Sequence, residues 1–118
     1  MSKEPILETE RLILRPITLD DAKACFSWNS DERVTKYMSY PTLTDISQTI
    51  DWIKSTLTDE KEYNFAFVLK KENKVIGTGS IGPSSKIEGY WGMGYNLHFD
   101  YWHKGYCTEA MKAIIDYV

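Results

Sequence analysis

The chain has 118 residues, 42% of them hydrophobic and 14% aromatic, which is typical of one globular domain that needs no disulfide or structural metal. Its net charge of -3, without a basic block, argues against direct binding of nucleic acid. Cys25 and Cys107 lack CxxC spacing, and neither an export signal nor a membrane-spanning apolar run is visible, so we expect a cytoplasmic protein without a membrane partner.

The first elements are predicted from a short apolar run and a helix-capping pattern. Residues 11–17 are apolar and bounded by charge, and Pro16 favours a strand near the edge of a sheet. Thr18 supplies a hydroxyl cap, and the acidic residues that follow it complement the dipole of a helix. That helix is predicted to end at residues 29–31.

A second helix is predicted after Pro41, with Thr44 or Asp45 as its cap. Its apolar residues recur at spacings of four, three and four, which predicts one buried stripe: Ile46, Ile50, Ile53 and Leu57. The polar residues 58–61 are expected to stop it.

The middle of the chain predicts an antiparallel meander of three strands. Residues 63–69 are aromatic and β-branched, and residues 75–81 follow after a charged turn. Gly77 and Gly79 in the second strand suggest a bulge or a close backbone approach. Residues 90–98 form the third strand, and a last amphipathic helix begins near Lys104 or Gly105 and runs to the end of the chain.

Residues 101–110, Tyr-Trp-His-Lys-Gly-Tyr-Cys-Thr-Glu-Ala, join the third meander strand to the last helix through one glycine. The first N–H groups of a helix lack partners and lie at the positive end of its dipole, so this turn could hold a phosphate or pyrophosphate. A tight turn that only closes a strand–helix unit is an equally good interpretation from these residues alone.

The same ten residues closely resemble the acetyl-CoA pyrophosphate loop of RimJ/RimL-like acetyltransferases of the GNAT superfamily. Residues 8–16 are similar to the first strand of that family, and residues 94–98 to its fourth. The resemblance implies a three-layer α/β/α fold of the α+β class, with a mixed, mainly antiparallel sheet. It gives the order strand, two helices, three strands and helix, and places one more strand, a helix and two strands beyond Val118.

The resemblance also implies where acetyl-CoA would bind. Trp102 takes the first position of the family's loop, Gly105 its invariant glycine and Cys107 its final small residue, so the backbone amides of the loop would hold the pyrophosphate. The main chain of three strand residues would pair with the pantetheine amides. The implied cofactor-binding residues are Tyr95, Asn96, Leu97, Trp102, His103, Lys104, Gly105, Tyr106, Cys107 and Thr108.

The implied reaction is direct attack of an amine on the acetyl thioester, without metal. Relatives often place a glutamate at the position of Gly92, so no base carries over there. His98 is the candidate base, although a histidine that hydrogen-bonds a loop is the alternative. Asn29 and Arg33, between the first two helices, are candidates for recognising the substrate amine, or belong to a solvated loop.

The acceptor and the class of protein stay open at this level. Resemblance to RimJ and RimL implies a protein N-terminal amine, while a polyamine or aminoglycoside is the alternative within the enzyme class. Gly92 and the missing C-terminal elements also leave open a non-catalytic CoA-binding domain. A homodimer is compatible with the sequence.

Overall fold

The computed structural model describes residues 4–38, 40–58, 61–83 and 91–117. Its strands are β1 (Leu7–Glu8), β2 (Leu12–Pro16), β3 (Tyr63–Leu69), β4 (Lys74–Pro83) and β5 (Trp91–Leu97). Its α-helices are α1 (Ala22–Asn29), α2 (Glu32–Thr35), α3 (Ile46–Thr58) and α4 (Tyr106–Tyr117). Two 3-10 helices, Leu19–Asp21 and Phe99–Tyr101, precede α1 and α4.

The five strands form one sheet in the order β1-β2-β3-β4-β5, and each neighbouring pair is antiparallel. The predicted strands and meander are confirmed. The short strand β1 was not predicted. It is held beside β2 by a hairpin turn in which the Thr9 amide donates to the Leu12 carbonyl at 2.9 Å.

Strand β3 is central and is buried on both faces, which explains its continuous apolar sequence. Phe65, Phe67 and Leu69 belong to the core on the α4 side of the sheet. Alternation along the strand sends Asn64 and Ala66 to the opposite face. The sheet is therefore the middle layer of the molecule.

The two outer layers are α4 on one face and α1 with α3 on the other, so the predicted α/β/α arrangement is confirmed. On the α4 side, Ala110 and Ile114 pack with the apolar residues of β2 and β3. On the other side, Cys25, Trp28 and Ile53 form a second core. None of the helices in the described ranges is long and apolar enough to cross a membrane.

The two glycines of β4 mark the close approach that the sequence suggested. A β-carbon at Gly79 would lie 2.5 Å from Cζ of Phe67, and one at Gly77 would lie 2.5 Å from the Asn96 carbonyl oxygen. The β3–β4 register shifts at Phe67, which confirms the predicted irregularity. Glycine is required here because neighbouring atoms fill the space of a side chain.

The buried stripe of α3 differs from the prediction. Ile46 is 38% exposed and Leu57 is 50% exposed, while Thr49 and Thr56 are buried beside Ile53. Their hydroxyls are satisfied internally: Thr56 donates to the Ile53 carbonyl at 2.8 Å, and Thr49 accepts from Asn29 at 3.1 Å. Residues 49, 53 and 56 share one helix face, and hydroxyls with nearby acceptors and donors can be buried there at little cost.

Candidate functional site

The segment that joins β5 to α4 makes a turn with unusual backbone conformations. His103 has φ of 63° and Gly105 has φ of 82°, both in the left-handed region. Glycine adopts this conformation without a steric penalty, which explains its place at residue 105. Alternation of left-handed residues with others curves a chain so that successive N–H groups converge on one side.

The amides of residues 103–108 make no hydrogen bond within the part of the chain that the structure describes. The Glu109 amide donates to the Gly105 carbonyl at 3.1 Å and is the first to make a helical bond. Within the ranges that the structure describes, no acceptor lies in hydrogen-bonding position for the six preceding amides. They stand at the positive end of α4, so they can bind an anion.

Trp102 departs from the predicted row of amides. Its N–H donates to the Phe99 carbonyl at 3.1 Å and is unavailable to a cofactor. Its indole Nε1 donates to the Leu97 carbonyl at 2.8 Å. The centre of its ring lies 4.9 Å from that of Phe99 and 5.8 Å from that of Tyr37. Trp102 therefore holds the turn against β5 rather than supplying an amide.

Arg11 and Glu109 lock the turn onto the start of β2. The Glu109 carboxylate accepts the Thr9 hydroxyl, the Arg11 amide at 3.0 Å and the Arg11 Nε at 2.7 Å. The guanidinium in turn donates to the Lys104 carbonyl at 3.0 Å and lies 4.3 Å above the ring of Tyr106. This network was not predicted, because its two halves are far apart in sequence.

The network also affects ionisation of Glu109. Partial burial acts to raise the pKa of this carboxyl, but the hydrogen bonds from Thr9 and Arg11 outweigh burial and lower the pKa below its usual 4.5. Glu109 is therefore ionised at neutral pH and keeps Arg11 directed at the turn.

The outer edge of β5 offers the main-chain groups of alternate residues. The His98 amide donates to the Ile76 carbonyl at 2.8 Å, so alternation turns the main chain of Asn96 toward β4 and that of Tyr95 and Leu97 away. The Leu97 carbonyl is occupied by Trp102. Of the three predicted pantetheine-binding residues, Tyr95 and Leu97 keep outward N–H groups, whereas Asn96 does not.

A cavity of about 430 Å³ lies beside this strand, on the α1 and α3 side of the sheet. Residues of β3, β4 and β5 line one side, and residues from α1, α3 and the segment between α2 and α3 line the other. It is lined by Ile17, Asn29, Met38, Tyr40, Leu43, Gln48, Trp52, Glu62, Asn64, Thr78, Gly79, Ser80, Gly94, Tyr95 and Asn96.

One wall of this cavity is a hydrogen-bonded chain of neutral groups. The Tyr40 hydroxyl lies 2.9 Å from Oδ1 of Asn29 and 2.7 Å from Oδ1 of Asn96. Asn29 in turn donates from Nδ2 to Thr49 at 3.1 Å. Burial raises the pKa of Tyr40 to about 12, so its hydroxyl stays protonated at neutral pH.

The two predicted substrate residues separate in the structure. Asn29 is buried and lines the cavity, whereas Arg33 does not. Arg33 forms an ion pair with Asp31 at 2.7 Å, and its guanidinium carbon lies 4.2 Å above the Phe99 ring. These contacts hold Arg33 at the surface near Trp102. A role for Arg33 in binding the amine has no support in this geometry.

His98 caps the 3-10 helix before α4. Its Nδ1 accepts from the Asp100 amide at 3.1 Å, and its ring packs edge-on against Tyr101 at 5.7 Å. In neutral imidazole the other nitrogen then carries the proton. His98 does not line the described cavity and offers no free lone pair, so the geometry favours the structural alternative over the predicted base.

Two further features of the site concern groups that could react. Burial raises the pKa of the Cys107 thiol to about 12, so this cysteine is not a nucleophile at neutral pH.

Among the residues that the structure describes, no group of three or more His, Cys, Asp or Glu side chains could hold a metal ion. Glu62, which was not predicted, is the carboxylate in the described lining of the cavity.

Comparison with known proteins identifies the family of the chain. The model of the acetyltransferase (GNAT) domain family matches residues 11–118. The chain is 39% identical over 114 residues to Uncharacterized N-acetyltransferase p20 of Bacillus licheniformis. The alignment covers 94% of this chain and 64% of that relative.

Two solved structures share the fold. A GNAT-family acetyltransferase from Bacillus anthracis aligns with a TM-score of 0.81 at 26% identity, over 96% of this chain and 65% of that one. RimL, a ribosomal-protein acetyltransferase in complex with coenzyme A, aligns with a TM-score of 0.78 at 14% identity, over 96% and 67%. The family match and the fold lead to one conclusion: the chain belongs to the GNAT acetyltransferase family.

Proposed function

We propose that this chain binds acetyl-CoA and transfers its acetyl group to a primary amine. The observation that carries the proposal is the row of open amides at residues 103–108, at the start of α4. A pyrophosphate is doubly charged and has several acceptor oxygens, so converging N–H groups and a helix dipole would bind it. In support, the structural neighbour RimL was solved with coenzyme A.

The outward edge of β5 suits the pantetheine arm. Its amides would pair with the N–H group of Leu97 and with the Tyr95 carbonyl, as a neighbouring strand would, which leaves the Tyr95 N–H for the thioester. The arm would then place the thioester along the strand toward Gly94 and Tyr95. One of the outward N–H groups can donate to the thioester carbonyl and stabilise the oxyanion that forms there.

Gly94 and Tyr95 also line the cavity, so cofactor and acceptor would meet on this strand. The amine nitrogen forms a bond to the acetyl carbon, the carbon–sulfur bond breaks, and CoA leaves as thiolate, which takes up the second proton that the nitrogen loses as it becomes an amide. The ammonium proton must depart before attack. We assign Glu62, the carboxylate in the described lining, to draw the ammonium into the cavity and to accept that proton directly or through water.

For the acceptor we propose a protein N-terminal amine, on the precedent of RimL, named for acetylation of a ribosomal protein. The experiment is thiol release from acetyl-CoA with peptides, polyamines and aminoglycosides as acceptors, with CoA binding measured by calorimetry on the same preparation. Turnover with peptides supports the proposal. Turnover with small amines alone contradicts the peptide acceptor, and binding without turnover by any amine contradicts acetyl transfer.

A further inference from the structure

Asn64 is a buried donor without an acceptor. It lies in β3, is 3% exposed and lines the cavity. Its main chain is satisfied, because the amide donates to Oε2 of Glu4 at 2.9 Å and the carbonyl accepts from Ile17 at 3.4 Å. Its side-chain Nδ2 has no hydrogen-bond partner within the described residues. An unsatisfied buried donor destabilises a fold, so its presence beside a cavity calls for a reason.

The cavity around Asn64 is polar yet carries little charge. Asn29, Tyr40 and Asn96 are neutral, Glu62 is acidic, and no lysine, arginine or histidine belongs to the described lining. A substrate carboxylate or phosphate would be desolvated there without a countercharge from the described lining. For a polycation, the described lining offers one carboxylate for several ammonium groups. An acceptor with a single ammonium and no other charge fits the described lining.

The described lining also contains four large apolar side chains, beside which an apolar part of the acceptor would lie. Ile17, Met38, Leu43 and Trp52 face the cavity from three segments of the chain. A volume of about 430 Å³ lies within the range of small-ligand pockets. The cavity can therefore surround an apolar group together with a few polar atoms.

We propose that the acceptor is a monoamine, otherwise uncharged, whose carbonyl or hydroxyl oxygen accepts a hydrogen bond from Nδ2 of Asn64. The inference rests on the proposed function, because it names the substrate class of that same cavity. An uncharged peptide amide belongs to this class. Acidic amines, polyamines and aminoglycosides do not.

The test is calorimetric binding of amines to the full chain saturated with CoA, which needs no turnover. Four probes are compared: seryl-alanine amide, aspartyl-alanine amide, spermidine, and hexylamine, which lacks oxygen. We expect seryl-alanine amide to bind most tightly. The affinity of the Asn64→Leu variant for seryl-alanine amide should fall roughly tenfold, which is the effect of losing one hydrogen bond. Its affinity for hexylamine should be unchanged.

The matched control is Thr56→Val, which removes another buried polar group that does not line the cavity. It should leave all four affinities unchanged. Asn64→Leu should melt no lower than wild type, since it removes a donor that lacks a partner. Equal affinity of wild type and Asn64→Leu for seryl-alanine amide, or tighter binding of spermidine or the acidic peptide, overturns the inference. If no amine causes thiol release, the proposed acetyl transfer is contradicted. The binding measurements still decide whether Asn64 contacts the acceptor.

Discussion

The turn at residues 103–108 and the cavity beside β5 are built in opposite ways. The turn presents main-chain amides, and its side chains serve to hold its shape: Trp102 bonds β5, and Glu109 holds Arg11 against Lys104. The cavity presents side chains from separate segments. Binding of the cofactor at the turn should therefore depend on the backbone conformation at residue 105. Binding of the acceptor in the cavity should depend on the identity of single side chains.

Gly105→Val tests the backbone half of this comparison and should have the largest effect. Valine is strained at a φ of 82°, and its β-carbon would lie 3.4 Å from Nη2 of Arg11, so the turn that presents the amides would have to change conformation. We expect CoA affinity to fall roughly 100-fold or more, with helix content retained. Calorimetry and circular dichroism measure both.

The matched control is Asn73→Val, which places valine at another left-handed residue, with φ of 49°, in the turn between β3 and β4. This turn belongs neither to the amides of residues 103–108 nor to the described lining of the cavity, so strain there should leave the cofactor site intact. CoA affinity within about twofold of wild type is expected in this control. Unchanged affinity in Gly105→Val would show that the turn does not bind the cofactor.

Glu109→Gln tests whether side chains act on the turn only by holding it. Loss of the charge loosens Arg11 from the Lys104 carbonyl, and we expect CoA to bind roughly threefold to fivefold more weakly. Calorimetry with CoA gives the comparison. An affinity equal to that of wild type would mean that the turn keeps its shape without this network.

The same variant makes a pH prediction. Because the folded-state pKa of Glu109 lies below its usual 4.5, the ionised carboxylate stabilises the fold above that pH, and the stabilisation is lost as pH falls through the folded pKa. Melting temperature should fall more steeply below about pH 4.5 in wild type than in Glu109→Gln. Parallel curves would contradict this assignment.

Substitution of His98 separates a capping role from a catalytic one. Asparagine also caps helices well, so His98→Asn should keep kcat and its pH profile close to wild type. His98→Leu loses the bond to the Asp100 amide and should cost about 0.5–2 kcal/mol of stability. A large loss of kcat with a shifted pH profile in the asparagine variant would restore His98 as the base.

Cys107→Ala should have the smallest effect. The thiol is partly buried and protonated, and alanine fits the same small space, so CoA affinity should stay within about twofold. Alkylation of Cys107 in wild type at neutral pH should be slow for the same reason. A marked loss of affinity in the alanine variant would give the sulfur a role in binding.

Local patterns predicted the strands and the turn, because apolar alternation, a cap and one glycine act over a few residues, whereas the three layers followed from the family resemblance. The same local reasoning placed Ile46 and Leu57 in the core, where Thr49 and Thr56 lie instead with their hydroxyls hydrogen-bonded. The pairing of Arg11 with Glu109 spans most of the chain. Such contacts, and the cavity around Asn64, follow from tertiary packing that no local pattern encodes.

The most direct test of the account is a titration with CoA followed through the backbone amide resonances of the protein. Residues 103–108 should show the largest shifts, in a saturable manner, while the amide of Trp102 keeps its bond to Phe99 and shifts less. Saturable binding that leaves residues 103–108 unperturbed would contradict the central claim that these amides hold the pyrophosphate.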